Sequence, residues 1–338
     1  MRFLPLIGWL AIAWPCSAAE PALTDAELRP IIEPSLKLLT LAAKGHLDAR
    51  DCFACHNQGL TVMALVKARS RRFAVDEEEI TLQAEAIAAF LDSNRQKYRD
   101  GQGQGGQANM AGYALVTLQA AGWQPDETTG AVAEYLLFRH KDRDHWLGGT
   151  RRPPSEGSAF TTTYVSLAGL AAYGTAGQQE RIAARRTQVL EWLRQAEPKE
   201  TEDRVFRLKA LQVAGASAED RQQAAQELLA KQHPDGGWSQ LDAGEPEHAT
   251  QSDAYATGTA LVALCEAGGL PSTDPAYQRG LSWLLKSRQP DGSWHVVSRS
   301  KPFQKYFESG FPHGNDQFLS CAATAWAVMA LLEDCEQR

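Results

Sequence analysis

The chain has 338 residues, with 34 basic and 41 acidic side chains and a formal net charge of −7, and its pI is about 5.7. This balance excludes the electrostatic binding of nucleic acid, which needs a basic patch or stripe. The length suffices for one large domain or two ordinary ones. Beyond the N-terminus no segment is apolar over the roughly 20 residues that a transmembrane helix needs.

The N-terminus is predicted to be an export signal. Arg2 gives a positive start, an apolar stretch runs to Trp14, and Ser17-Ala-Ala19 forms a small-residue cleavage site. We therefore expect a periplasmic or secreted protein with no transmembrane segment after cleavage. The predicted divisions are a signal peptide over 1–19, an N-terminal segment over 20–56 and a repeat domain over 57–338.

The N-terminal segment carries one motif with specific chemistry, Cys52-Phe-Ala-Cys55-His56. It matches the Cys-x-x-Cys-His attachment site of c-type haem. In that chemistry two thiols, expected on one helical turn, add to the haem vinyl groups, and the adjacent imidazole becomes an axial ligand of iron. Attachment takes place outside the cytoplasm, in agreement with an export signal. The motif predicts one covalent haem c on Cys52, Cys55 and His56.

Other uses of this motif stay open. The two thiols could form a local disulfide, whereas a structural zinc site would need four ligands and the chain has no second Cys-x-x-Cys. If an iron is bound, His56 is the ligand on one face and His313 is the candidate ligand on the opposite face. The alternative is a five-coordinate iron with no ligand on that opposite face. The remaining cysteines are expected to be small buried residues rather than ligands: Cys265, Cys321 and Cys335.

The rest of the chain repeats a pair of helices about every fifty residues. Asp253-Ala-Tyr-Ala-Thr257 and Ser320-Cys-Ala-Ala-Thr324 open two copies of a helix rich in alanine, threonine and leucine. Small residues would let such helices approach closely, as the inner helices of a ring must. Further copies fall near 58–65, 111–118, 163–170 and 203–215, and amphipathic helices are predicted between them near 27–43, 77–96, 125–140, 177–195, 217–232 and 274–288.

Several amphipathic helices end in the same element. Gln232 to Trp238 and Gln289 to Trp294 both contain Pro-Asp-Gly, which is turn chemistry, and Leu136 to Trp146 is a looser copy. The tryptophan is expected to pack under the next helix. The element resembles the QW repeat of squalene–hopene cyclases. That resemblance implies an all-α fold, an α/α toroid with about six inner and six outer helices like those of terpenoid cyclases and protein prenyltransferases, around an apolar cavity.

The catalytic acid of the cyclases is missing. Asp253 to Thr257 resembles their Asp-x-Asp-Asp-Thr segment, whose middle Asp is the acid, but here Tyr255 and Ala256 replace the second and third acidic residues. A phenol with a pKa near 10 cannot protonate an alkene. The chain also has no Asp-Asp-x-x-Asp for diphosphate ionisation. The sequence therefore leaves open whether the protein is an enzyme.

Polar residues that precede or open inner helices are expected to gather with His56 at one mouth of the ring, although helix capping alone would explain some of them. We predict an exported monohaem toroid for electron transfer or redox chemistry, with a redox partner protein and an apolar small molecule in the cavity. The alternatives are a non-haem toroid that binds a ligand or partner, and a terpenoid cyclase or transferase with an unrecognised acid. The cavity candidates are Asn109, Asp253, Tyr255, Asp316 and Gln317.

Overall fold

The computed structural model describes residues 24–150, 152–301 and 305–333. The predicted export signal and Cys335 lie outside the described residues. Within them the chain is helical and contains no strand, and no helix is long and apolar enough to span a bilayer. The helices in chain order are α1 (Asp25–Ala49), α2 (Leu60–Ser70), α3 (Glu77–Ser93), α4 (Arg95–Arg99), α5 (Gln107–Ala121), α6 (Glu127–Phe138), α7 (Ala159–Tyr173), α8 (Gln179–Gln195), α9 (Thr201–Ala214), α10 (Ala218–Leu229), α11 (Ala254–Glu266), α12 (Pro275–Ser287) and α13 (Gln317–Leu331).

Six of these helices form a closed inner ring. They pack against one another in the order α2, α5, α7, α9, α11 and α13, and α13 packs back against α2. The outer helices α1, α3, α6, α8, α10 and α12 pack on the inner helices beside them. The predicted toroid is confirmed. Its first outer helix, α1, lies in the segment before residue 57 and packs against α13 and α2, so that segment is part of the ring.

Glycines allow the inner helices to approach closely. A Cβ atom added to Gly112 of α5 would lie 2.7 Å from the carbonyl carbon of Val165 in α7. One added to Gly258 of α11 would lie 2.9 Å from the backbone nitrogen of Ala327 in α13. Carbon atoms in contact are normally about 3.5–4.0 Å apart. A larger residue at either position would push the helices apart, as the sequence predicts for the small residues of these helices.

A tryptophan after an outer helix is held by the same two hydrogen bonds in three repeats. Trp238 donates its backbone N–H to the Thr257 hydroxyl over 2.9 Å and its indole N–H to the Leu228 carbonyl over 2.9 Å. All three indoles are fully buried, which confirms the predicted packing. The other two sets are Trp294 with Thr324 and Leu284, and Trp146 with Thr163 and Leu136.

The ring axis is filled near the C-terminal ends of the inner helices. Lys209 of α9 binds the Glu266 carboxylate over 2.7 Å and lies over the rings of Tyr164 and Trp326 at 5.3 and 5.7 Å. Burial opposes the charge, but the Glu266 carboxylate outweighs it and raises the pKa of Lys209 above its ordinary value. A buried cation suits the negative ends of the helix dipoles. This end of the ring is therefore closed by packed side chains.

The cysteines of the inner helices differ from one another. Cys321 is buried and free, as expected for a small core residue. Cys265 is buried as well, as expected, and it is disulfide-bonded. Spacing alone did not indicate this, because a disulfide depends on the distance between two Cβ atoms in the fold.

Candidate functional site

The other end of the ring opens into a cavity of about 510 Å³. Its wall is built by the first residues of α2, α11 and α13, by Tyr113 of α5, and by the loops that precede α7 and α13. The cavity thus lies where the inner helices begin. Its apolar lining is Leu60, Pro153, Pro154, Phe318, Leu319 and Ala322, and its polar lining is Cys55, His56, Tyr113, Arg152, Ser155, Glu156, Tyr255, Ser298, Ser300, Lys301, Lys305, Tyr306, Asn315 and Asp316.

The Cys-x-x-Cys-His motif reaches this cavity through its second half. Cys55 opens a short π-helical turn, Cys55–Gly59, that continues into α2, and Cys55 and His56 both line the cavity. Cys52 lies in the preceding bend with its thiol exposed. The two cysteines do not share a helical turn, because Ala54 between them is extended (φ −125°, ψ 118°). Neither thiol is bonded to another cysteine.

Side chains from outside the motif fix its backbone. The imidazole Nε2 of His46, on outer helix α1, lies 2.7 Å from the carbonyl oxygen of Cys52. The Gln58 side chain accepts the backbone N–H of Ala54 over 2.9 Å and donates to Gln83 of α3 over 2.8 Å. Buried polar groups need such partners. The motif is consequently anchored to two outer helices.

His56 presents a neutral imidazole to the cavity. Its ring packs edge-on against Phe318, with the centroids 5.2 Å apart, and its Nδ1 lies 4.0 Å from Cys55 Sγ. Its Nε2 makes no hydrogen bond to any described residue. Burial lowers the pKa of His56 to about 3, so the ring is neutral at pH 7, the form in which histidine binds metal ions.

Glu202 is a buried acid that the sequence analysis missed. Its side chain is at the start of α9 and is 3% exposed. One carboxyl oxygen, Oε1, accepts the Thr161 hydroxyl over 2.6 Å, whereas Oε2 is buried without a well-formed hydrogen bond. The Tyr255 hydroxyl lies close enough to interact with the same carboxyl. Burial raises the pKa of Glu202 to about 8, which keeps this group largely protonated at pH 7.

The five cavity candidates fall into two groups. Tyr255 and Asp316 line the cavity, and Asn109, Asp253 and Gln317 do not. Asp253 is the N-cap of α11, where it accepts a backbone N–H over 2.9 Å, and burial raises its pKa to about 6. Asn109 donates to a threonine hydroxyl over 3.3 Å. Gln317 accepts both the N–H and the hydroxyl of one serine. These three side chains hold the loops and helix starts around the cavity.

His313 is turned away from the cavity. Its Nε2 lies 2.8 Å from Ser293 Oγ, and its ring stacks on His295 with the centroids 4.6 Å apart. Asp316 in turn binds His295 Nε2 over 2.9 Å. The structure therefore does not bring His313 to the imidazole of the motif. Among the described residues there is also no group of three or more His, Cys, Asp or Glu side chains able to hold a metal ion.

Comparison with known sequences agrees with the repeat pattern. The model of the squalene–hopene cyclase C-terminal domain matches residues 199–318. The terpene cyclase–glycosyl transferase fusion protein fsoA of Humicola fuscoatra is 32% identical over 84 residues, which are 24% of this chain and 6% of that protein. The chain thus spans only a small part of this relative. The resemblance to the squalene cyclases is confirmed.

Solved structures show the same architecture. The apo type II terpene cyclase MstE from Scytonema is 16% identical, with a TM-score of 0.54 over 89% of this chain and 98% of that chain. The unsaturated glucuronyl hydrolase from Bacillus sp. GL1 is 13% identical, with a TM-score of 0.56 over 89% of this chain and 95% of that chain. These likenesses establish the fold, which hosts different chemistries. The chain is a squalene-cyclase-like α/α toroid.

Proposed function

We propose that this chain is an exported toroid that carries one covalent c-type haem on Cys52 and Cys55, with His56 as an axial ligand. It serves in electron transfer or in redox chemistry on an apolar ligand, and it exchanges electrons with a partner protein. The observation that carries the proposal is that Cys55 and His56 line one cavity while both thiols of the motif are free. Two thiols and an imidazole in this order are the groups that covalent haem attachment uses.

The residues present fit such a group. The imidazole Nε2 is unengaged by any described residue, and the cavity of about 510 Å³ has apolar walls on the side of α13. Cys52, three residues before Cys55, does not line the cavity, but it is exposed and free. A bound haem would supply one-electron chemistry. The chain would hold and orient it through the anchored motif and shield it from water with Leu60, Phe318 and Leu319.

Two further observations support export. The N-terminal residues have the charge and apolar pattern of a signal peptide. Cys265 is disulfide-bonded, and disulfides persist mainly in oxidising compartments outside the cytoplasm.

Cyclisation by an acid at the position that the cyclases use does not fit this cavity. Tyr255 stands where the cyclases carry the acid, and burial, together with the nearby Glu202, raises its pKa well above the ordinary value. A group so reluctant to release its proton cannot protonate an alkene. If no haem is attached, two functions remain: a toroid that binds an apolar ligand or a partner without haem, and a terpenoid cyclase or transferase whose acid lies at another position.

The visible spectrum of the exported protein tests the proposal. Protein made in a host with a cytochrome c maturation system should show a Soret band that survives acid–acetone extraction. The variant Cys52→Ala/Cys55→Ala should be colourless, and Cys321→Ala, which removes the other free thiol among the described residues, should keep the band. His56→Ala should keep covalent haem but change its spin state. Wild-type protein without extraction-resistant colour would refute the haem site.

A further inference from the structure

Two lysines at the mouth of the cavity have no part in the attachment motif. Lys301 and Lys305, the mouth lysines, belong to the loop before α13, and both line the cavity. Their side chains are exposed, and neither ammonium group has an ion-pair or hydrogen-bond partner among the described residues. The chain as a whole has a net charge of −7, so two cations without counter-ions at one opening call for an explanation.

The backbone that carries the mouth lysines is fixed to other parts of the ring. Ser300, next to Lys301, donates its hydroxyl to the carbonyl oxygen of Pro153 over 2.7 Å. The carbonyl oxygen of Lys305 accepts a guanidinium N–H of Arg50, which follows α1, over 2.8 Å. Both lysines are therefore held at the mouth by residues that are distant in the sequence.

The carboxylates of the cavity lining already have partners. Glu156 is ion-paired with Arg152. Asp316 accepts the backbone N–H of Ser298 over 2.9 Å and binds His295 over 2.9 Å. Because these two negative charges are engaged, the positive charge of the mouth lysines is left for a ligand.

The cavity thus suits a ligand with an apolar body and negative charge at one edge. The body would pack against Leu60, Phe318 and Leu319, and the charged edge would meet the ammonium groups at the exposed mouth. Ammonium groups form charge-assisted hydrogen bonds with carboxylates. A haem has this distribution of charge, because its two propionates lie together on one edge of an apolar macrocycle.

We infer that Lys301 and Lys305 bind the propionate carboxylates of the haem. The inference rests on the proposed function and assigns to the haem two residues outside the Cys-x-x-Cys-His motif. Each ion pair at an exposed position contributes only modestly, because water and salt compete with it. The pair of lysines turns the charged edge of the macrocycle towards solvent.

Mesoporphyrin IX tests the pair without haem attachment. It carries both carboxylates but no vinyl group and no iron, so it forms neither a thioether nor a bond to His56. Its dimethyl ester has the same macrocycle without the charges. In fluorescence titrations of the full-length chain purified without haem, the acid should bind more tightly than the ester. Lys301→Gln/Lys305→Gln should weaken binding of the acid roughly 3- to 10-fold and leave binding of the ester unchanged, which also shows that the variant is folded.

Two matched variants isolate the position of the charge. Lys301→Arg/Lys305→Arg keeps both cations and should keep the affinity for the acid. Lys37→Gln/Lys286→Gln removes the same charge from two exposed lysines of α1 and α12 that do not line the cavity, and it should also leave that affinity unchanged. In haem-loaded protein, Lys301→Gln/Lys305→Gln should lower the midpoint potential, because carboxylates without counter-ions favour ferric iron.

The inference is overturned if wild type binds the acid and the ester equally, if it binds neither, or if Lys301→Gln/Lys305→Gln binds the acid as tightly as Lys37→Gln/Lys286→Gln does. An unchanged midpoint potential in the haem-loaded variant would also overturn it. The two proposals fail separately. Absence of covalent haem would leave the porphyrin titrations as they are, whereas a Soret band together with equal porphyrin affinities would leave haem attachment standing without the mouth lysines.

Discussion

The Thr257 hydroxyl of α11 accepts the backbone N–H of Trp238 over 2.9 Å. The bond joins the turn after outer helix α10 to the inner helix that follows it. Thr324 does the same for Trp294 over 3.1 Å. The recurrent threonine of the repeat is therefore the acceptor for a buried N–H, and this explains why threonine and tryptophan recur together.

Replacing Thr257 should destabilise the protein by more than the loss of a surface hydroxyl would. Thr257→Val keeps the shape but leaves the Trp238 N–H buried and unpaired, so the free energy of unfolding should fall by about 1–3 kcal/mol in urea titrations. Thr259→Val is the matched control, because Thr259 is equally buried and its hydroxyl binds only carbonyls of its own helix. Equal losses in the two variants would contradict the assigned role.

The buried acid should make stability depend on pH. The folded state raises the pKa of Glu202 from 4.5 to about 8, so folded protein keeps a proton that unfolded protein has released. Its contribution is fully present below pH 4.5 and is lost as the pH rises towards 8. Relative to Glu202→Gln, the wild-type free energy of unfolding should fall by about 1.4 kcal/mol per pH unit inside that window.

Urea titrations between pH 5 and about pH 8 measure this difference. The groups that face the carboxyl are Thr161, Tyr255 and Tyr113 from three other inner helices, and Asp203 and Glu200 from its own segment. The exposed variant Glu78→Gln, on outer helix α3, should run parallel to wild type. If the pH dependence of the free energy of unfolding were also parallel between Glu202→Gln and wild type, the Glu202 carboxyl would be ionised in the folded protein.

Lys209 and Glu266, at the closed end of the ring, should contribute to the stability of the protein as a coupled pair. Lys209→Met leaves the Glu266 carboxylate without that partner and removes a cation from two aromatic faces, so the free energy of unfolding should fall by roughly 3 kcal/mol. The double variant Lys209→Met/Glu266→Gln should recover part of this loss. Lys231→Met, which breaks an exposed pair with Asp242, should cost less than about 1 kcal/mol. Additive losses in the double variant would contradict coupling.

The fold could be predicted from the sequence because its signals are periodic. Alternating helices, the Pro-Asp-Gly turns and the small residues of the inner helices all recur, and each copy repeats the same local physics. The observed outer helix Gln179–Gln195, for example, lies within the predicted 177–195. Ring closure does not follow from the repeats alone, because an open solenoid stacks the same helical hairpins. The resemblance to the cyclases implies closure, and the packing of α13 against α2 confirms it.

The site could be predicted only in part, because it depends on single positions at helix starts. Successive side chains along a helix point about 100° apart, so neighbouring positions face different directions. Tyr255 therefore reaches the cavity, whereas Asp253 caps the helix. Glu202 lies one residue before the weak repeat copy predicted over 203–215, so the repeat pattern does not mark it as a cavity residue. His313 is predicted as a metal ligand, but its ring is held by Ser293 and His295 away from the cavity. Its left-handed backbone (φ 84°), which is uncommon for a non-glycine residue, cannot be read from the sequence.

Intact-mass spectrometry of the exported chain tests the central claim most directly. Protein made together with a haem maturation system should carry the added mass of one haem, and proteolysis should place it on the peptide that contains Cys52 and Cys55. The Cys52→Ala/Cys55→Ala variant should have the mass of the chain alone. An unmodified wild-type mass, with these two cysteines free or joined in a disulfide, would contradict the claim that this toroid is a c-type haem protein.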